Sequence, residues 1–164
     1  MINVRDLTQF QENKYTRHLV LKTDNVEILL VCWSPDLATA VHEHGPSDGV
    51  IMVLEGELEN TNYYPDGREE VQVWKAGDIG HTLVGVQHKI ENKSGKGAIS
   101  LNIYSPALEQ QYRGFDLGYD NQVELQEMQL PQEMVRYFMG LVPRIAAPAD
   151  TCAVDVADTP VSKA

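Results

Sequence analysis

Two histidines separated by one residue, His42 and His44, are the first residues whose type and spacing suit chemistry. Alternate residues of an extended strand point to the same face, so both imidazoles could face an interior while Glu43 points away. Imidazole is a common ligand of divalent iron, nickel, copper and zinc. The pair alone is a weak signal, since surface or core histidines can have the same spacing, but it indicates a possible metal site.

A third histidine, His88, lies in a segment whose spacing strengthens this interpretation. In this segment Leu83 lies six residues after Gly77, and Gly85 lies two residues after Leu83. His88 follows Gly85 by three residues, and Asn92 follows His88 by four. This order resembles the second sequence motif of the cupins, with Leu83 at the position where that motif has proline.

The first cupin motif is similar in part to the segment that begins with the histidine pair. Gly56 falls where that motif has its glycine, but Gly49 stands where the usual glutamate ligand would be. The resemblance therefore implies three neutral metal ligands, His42, His44 and His88. Such a set would leave open positions on one side of the ion for a thiolate and dioxygen. Two nearby carboxylates, Glu43 and Asp48, are alternative ligands.

Five segments make the chain similar to the cysteine dioxygenases within the cupins, and to bacterial thiol dioxygenases in particular. The similarity extends over about residues 15–115, and its segments are 15–20, 32–34, 42–56, 85–92 and 98–106. It implies an enzyme with an Fe(2+) cofactor that oxidises a small thiol, L-cysteine first among the candidates, with O2 to a sulfinic acid.

The resemblance also implies roles for individual side chains. The arginine that pairs with the substrate carboxylate falls on Arg17, and its neighbouring tyrosine falls on Tyr15. Arg113 is a rival partner for the same carboxylate. The catalytic tyrosine beside the iron falls on Tyr104. A planar guanidinium is chemically suited to this task because it can bind a carboxylate through two parallel hydrogen bonds.

At two points the chain departs from the family pattern. Some relatives bond the tyrosine covalently to a cysteine, whose position is occupied here by Gly49, so that crosslink cannot form. The family's Ser-His-Tyr relay corresponds here to Ser100, Asn102 and Tyr104. Two alternative functions therefore remain open. One is a dioxygenase for another thiol carboxylate, such as a mercaptocarboxylic acid. The other is a cupin that binds a metal or ligand without catalysis.

The elements that must position these residues are mostly short strands. Residues 26–33, 50–54 and 98–104 are rich in β-branched and apolar residues, and 58–64 and 71–74 flank a turn at 65–67, as in a hairpin. The spacing of strands and turns predicts an all-β protein, a small cupin barrel of the jelly-roll type with short terminal helices. A helix is predicted at 131–141. We expect one cupin domain at 1–145 and a disordered tail at 146–164.

Composition limits the classes of partner. The chain has 164 residues and a formal net charge of −11, which argues against binding to nucleic acid or to an anionic membrane. It shows neither a long apolar run nor an apolar signal core, so we expect a cytoplasmic protein. We also expect a monomer or a small homo-oligomer. Cys32 is expected to be a buried apolar residue. His18 and His81 match no ligand spacing and are interpreted as structural or surface residues.

Overall fold

Two β-sheets make up most of the described chain in the computed structural model, which describes residues 10, 15–108, 125–127, 136 and 140. Strands form at the segments 26–33, 50–54, 58–64, 71–74 and 98–104, as predicted, and at further segments as well. In chain order they are β1 (Tyr15–Lys22), β2 (Glu27–Trp33), β3 (Leu37–Ala38), β4 (Asp48–Glu55), β5 (Glu57–Tyr63), β6 (Glu69–Lys75), β7 (Ile79–Thr82), β8 (Gln87–Asn92), β9 (Ala98–Ser105) and β10 (Leu125–Glu127).

One sheet has six strands in the order β10-β1-β2-β9-β4-β7, and the other has four in the order β3-β8-β5-β6. Strands β1 and β10 pair in parallel, while the remaining pairs are antiparallel. The all-β prediction is confirmed. Within the predicted helix at 131–141, Arg136 and Gly140 are helical, and the other residues lie outside the described ranges, as does the tail at 146–164. No helix in the described part of the chain is long and apolar enough to span a membrane.

Buried apolar side chains lie on both faces of the six-stranded sheet. One cluster joins residues of both sheets, among them Val31, Ile51 and Trp74. A second cluster, which includes Leu30 and Leu101, lies on the other face of the six-stranded sheet. Strand β2 is consequently buried along its whole length. On β9 the inward positions include polar residues, which leaves a polar region inside an otherwise apolar core.

The β5–β6 hairpin was predicted from its turn and is confirmed. Gly67 in the connecting turn has φ of +84°, a conformation that glycine adopts without a steric cost. Tyr63 pairs with Glu69 next to this turn, and the register continues to Glu57 opposite Lys75. The turn therefore fixes which side chains of β5 and β6 face each other inside the barrel.

The expected strand around the histidine pair is only partly correct. The segment that carries His42 and His44 is irregular and lies between β3 and β4, and only His42 forms a β-bridge, with His88. The alternation that motivated the prediction is nevertheless present. Both histidines are buried, whereas Glu43 between them is half-buried.

Candidate metal centre

Three histidine side chains converge between the sheets. One ring nitrogen from each of His42, His44 and His88 lies within 4.8 Å of the other two. The Nε2 atoms of His44 and His88 are 3.0 Å apart, and all three residues are buried. Nitrogens that approach so closely in a buried place can be satisfied together by one cation. The residues thus fit a divalent metal held by three neutral ligands.

Backbone hydrogen bonds hold two of these ligands together. The His42 amide donates to the His88 carbonyl at 2.9 Å, and the His88 amide donates to the His42 carbonyl at 2.7 Å. His88 is part of β8, so the irregular segment that carries the other two histidines is attached to a regular strand at this point. These two bonds therefore bring together His42 and His88, which are far apart in the sequence.

The second ring nitrogen of two ligands has an acceptor of its own. His42 Nδ1 donates to the carbonyl of Ala40 at 2.9 Å, and His88 Nδ1 donates to Oδ1 of Asn60 at 2.8 Å. Each bond places the proton on Nδ1 and leaves the Nε2 lone pair for a metal. Sequence reasoning missed Asn60. The only signal was that the segment 58–64 alternates imperfectly, with asparagines at inward positions of the strand.

The two carboxylates considered as alternative ligands are not part of this cluster. Among the described residues, the cluster comprises the three histidines only. Asp48 is exposed, and its carboxylate accepts a hydrogen bond from the Val84 amide at 3.4 Å. The geometry therefore favours the set of three neutral ligands.

A cavity lined in part by His42 and His88 lies beside the histidine cluster. Among the described residues that line it, Arg17 is the only arginine or lysine, and there is no aspartate or glutamate. The lining residues are Tyr15, Arg17, Val31, Trp33, Thr39, His42, His88, Ile90, Asn102 and Tyr104. A buried guanidinium beside a metal site suits a small ligand with one anionic group.

Strand β1 brings Tyr15 and Arg17 to the cavity. They are separated by one residue, so both side chains face the interior, and both are buried. The Tyr15 ring stacks on Trp33 with centroids 5.1 Å apart and an angle of 20° between the planes. The stacked pair forms an apolar wall next to Arg17. The rival arginine, Arg113, lies outside the described residues.

Tyr104 lies at the end of a hydrogen-bonded series along β9. Trp33 Nε1 donates to Ser100 Oγ at 2.9 Å, Ser100 Oγ donates to Asn102 Oδ1 at 2.7 Å, and Asn102 Nδ2 donates to the Tyr104 hydroxyl at 3.2 Å. The Tyr104 ring packs against His44, with centroids 4.7 Å apart. This tyrosine is therefore adjacent to the histidine cluster.

The glycine on β4 opposite this tyrosine has no room for a side chain. Gly49 pairs with Tyr104 on one side and with Thr82 on the other. An added Cβ would lie 2.1 Å from Thr82 Oγ1 and 2.9 Å from Cε1 of the Tyr104 ring. Glycine at this position therefore allows Thr82 and the tyrosine ring to pack close to the β4 backbone.

The remaining histidines match their structural interpretation. His81 is exposed on β7, and His18 is buried on β1 with its side chain on the face of the sheet away from the cavity. Burial lowers the pKa of His18 below its ordinary value. Cys32 is buried in β2, as expected. None of these residues takes part in the histidine cluster.

Sequence comparison connects this geometry with a known family. A family model described as cysteine dioxygenase type I matches residues 2–117. Cysteine dioxygenase type 1 of Danio rerio is 30% identical over 132 residues, with 71% of this chain and 64% of the relative covered. The human protein of the same description is 27% identical over 130 residues, with the same coverage. The chain thus matches about 64% of the length of these curated relatives.

Solved structures show the fold. A Thermus thermophilus protein superposes with a TM-score of 0.56 at 24% identity, with 65% of this chain and 96% of that chain covered. A cupin described as RmlC-like, from Shewanella frigidimarina, has a TM-score of 0.52 at 23% identity, with coverages of 60% and 82%. The predicted cupin barrel is confirmed.

Proposed function

Because the chain belongs to the cysteine dioxygenase type I family, we propose that it is a non-haem iron thiol dioxygenase. The proposed reaction joins both atoms of O2 to the sulfur of L-cysteine, or of a closely related small thiol, and gives the sulfinic acid. The observation that carries the proposal is the convergence of three buried histidines beside a cavity with one buried arginine.

His42, His44 and His88 would hold a ferrous ion. When bound, that ion would supply the redox chemistry between dioxygen and a thiolate. The protein contributes the orientation of the imidazoles, since two of them donate from Nδ1 to fixed oxygen acceptors. It also contributes a buried site, in which a thiolate is held away from bulk water.

Arg17 would bind the substrate carboxylate, with Tyr15 beside it. The guanidinium can form two parallel hydrogen bonds with a carboxylate, which would fix the direction of the short carbon chain between carboxylate and sulfur. A substrate held at both ends has lost most of its freedom before the chemical step. Arg113 remains the alternative partner.

Tyr104 would donate a hydrogen bond toward the reacting atoms. Its hydroxyl oxygen accepts from Asn102, so its own proton is directed elsewhere. A positioned donor of this kind stabilises negative charge that develops on an oxygen atom during reaction. Its role is therefore that of a fixed donor, because Asn102 does not titrate and cannot pass a proton along the series.

A mercaptocarboxylic acid is the second candidate substrate. In the described part of the chain, the cavity lining has one guanidinium but no aspartate or glutamate that could pair with the ammonium group of an amino acid. An amine would therefore gain little from these side chains unless it bound the metal. A thiol carboxylate without an amine would retain both of the interactions proposed above.

Oxygen uptake with a panel of thiols tests the proposal. The protein would be loaded with ferrous ion without air, mixed with L-cysteine, 3-mercaptopropionic acid or cysteamine, and then exposed to labelled dioxygen. We expect consumption of one O2 per thiol and both labelled atoms in the sulfinic product. If the loaded protein bound a thiol but consumed no dioxygen with any of the three, the non-catalytic cupin would be the correct interpretation.

A further inference from the structure

A row of polar side chains leads from the histidine cluster across the four-stranded sheet. His88 on β8 stands opposite Asn62 on β5, and Asn62 stands opposite Glu70 on β6. Asn60 and Gln72 form the next pair along the same two strands. His88, Asn60 and Asn62 are buried, so their polar groups must find hydrogen-bond partners within the protein. Glu70 and Gln72 are half-buried.

The hydrogen bonds follow one direction away from the metal ligand. His88 Nδ1 donates to Asn60 Oδ1 at 2.8 Å, and Asn60 Nδ2 donates to Asn62 Oδ1 at 2.9 Å. Asn62 stands directly opposite Glu70 in the register, and after Tyr64 and Gln72 its amide is a further donor that lowers the pKa of the Glu70 carboxyl. Each amide accepts on the side of His88 and donates on the side of Glu70.

Other donors converge on the same carboxylate. The Tyr64 hydroxyl donates to Glu70 Oε2 at 2.6 Å, and Gln72 Nε2 donates to Oε1 at 3.3 Å. Gln72 is itself oriented by Trp74, whose indole Nε1 donates to Gln72 Oε1 at 3.2 Å. The hydrogen bond from Tyr64 and then that from Gln72 hold the pKa of Glu70 below its ordinary value. The carboxylate is thus an anionic acceptor.

Because Glu70 is an acceptor, it sets the orientation of the side-chain amides of Asn62 and Asn60. A carboxylate can only accept, so Asn62 must turn its NH2 group toward Glu70 and its oxygen toward Asn60. Asn60 must then turn its oxygen toward His88, which requires the proton of the imidazole to be on Nδ1. If the amides were reversed, Asn60 would donate to Nδ1. The proton would then move to Nε2, and that nitrogen could not bind a metal.

We propose that Glu70 is a positioning residue that fixes the metal-binding tautomer of His88 through Asn62 and Asn60. The inference rests on the proposed metal site and adds to it a residue that contacts neither metal nor substrate. Glu69, its neighbour on β6, is exposed and points to the other face of the sheet, so it provides a matched control of equal charge.

The affinity for ferrous ion is the first test, measured by anaerobic titration of the metal-free protein. Loss of a side chain that touches a metal ligand typically weakens binding by about 10- to 100-fold, which is the expectation for Asn60→Leu. For Glu70→Gln, which retains the shape and loses the charge, we expect a smaller loss of about 3- to 10-fold, on the same scale. Glu69→Gln should stay within about twofold of the unsubstituted chain.

The double variant distinguishes this role from a purely structural one. If Glu70 acts through the amides, Glu70→Gln should have little further effect on affinity once Asn60→Leu has broken the series. Nitrogen NMR of the metal-free protein supplies a second measurement. It should show His88 protonated on Nδ1, and a mixture of tautomers in Glu70→Gln.

Three results would overturn the inference while leaving the metal site in place. These are equal affinities of Glu70→Gln and Glu69→Gln, an undiminished effect of Glu70→Gln in the Asn60→Leu background, or an unchanged His88 tautomer in Glu70→Gln. Failure of the unsubstituted chain to bind ferrous ion would overturn the metal site as well as the role of Glu70. Failure of oxygen uptake alone, with tight metal binding, would contradict only the proposed reaction.

Discussion

Asn102 donates a hydrogen bond from Nδ2 to the hydroxyl oxygen of Tyr104 over 3.2 Å. The direction of this bond is fixed by Trp33 at the other end of the series, because an indole nitrogen can only donate. Ser100 accepts from Trp33 and therefore gives its own proton to the oxygen of Asn102. The amide of Asn102 consequently faces Tyr104, whose proton must point away from it. An asparagine at this position orients the phenol but cannot exchange protons with it near neutral pH.

Replacing Asn102 with histidine should introduce an ionisation into the rate profile. Imidazole titrates near neutral pH, whereas the carboxamide does not, so Asn102→His would place a titrating group next to the Tyr104 hydroxyl. We expect the dependence of kcat on pH to gain or shift one ionisation between about pH 6 and 7. A changed preference among thiols with an unchanged pH profile would contradict this account and favour a role of Asn102 in substrate selection.

Removal of the phenolic hydroxyl tests Tyr104 as a fixed donor. Tyr104→Phe keeps the ring that packs against His44 and removes only the hydrogen bond. The rate should fall by about 10- to 1000-fold, the range expected for one positioned donor. Ferrous affinity should be unchanged, since the hydroxyl is not one of the ligand atoms in the histidine cluster. A rate within twofold of the unsubstituted enzyme would show that the hydroxyl takes no part in the reaction.

The sequence predicted what depends on local pattern. Apolar alternation and turn residues predicted the β5–β6 hairpin, and the resemblance to the cupin motifs predicted that His42, His44 and His88 converge in space. The hydrogen-bonded row from His88 to Glu70 could not be predicted in this way. It depends on which residues of three strands lie opposite one another, and that register is set by turns and packing rather than by the residues concerned.

The metal ligands are tested by truncation of one imidazole. His88→Ala should reduce ferrous binding from one equivalent to a small fraction of that and abolish oxygen uptake, because two histidines hold the ion poorly. His81→Ala is the matched control, since His81 is exposed on β7 and outside the cluster. Full iron content and turnover in His88→Ala would contradict the assignment of this residue as a ligand.

Gly49→Ala tests the close packing of β4 against Tyr104. A Cβ there would overlap Thr82 Oγ1 and press on the tyrosine ring, so the ring must shift. Overpacking of this kind typically costs about 1–3 kcal/mol of unfolding free energy. We expect a lower melting temperature and a lower kcat. Val50→Ala removes volume from the opposite face of the same strand and should lower stability without a comparable loss of kcat.

The role of Arg17 is tested by comparing thiols with and without a carboxylate. Arg17→Lys keeps the charge but replaces a planar group that can form two hydrogen bonds with a compact ammonium. If Arg17 holds the carboxylate, KM for L-cysteine or 3-mercaptopropionic acid should rise by about 10-fold or more, equivalent to roughly 1.4 kcal/mol of lost binding. Cysteamine has no carboxylate, so turnover of this thiol should hardly change. An equal loss with all three thiols would instead indicate that the buried guanidinium supports the fold around the cavity. In that case Arg113→Lys should give the pattern expected here for Arg17→Lys, with the loss confined to the two carboxylate thiols.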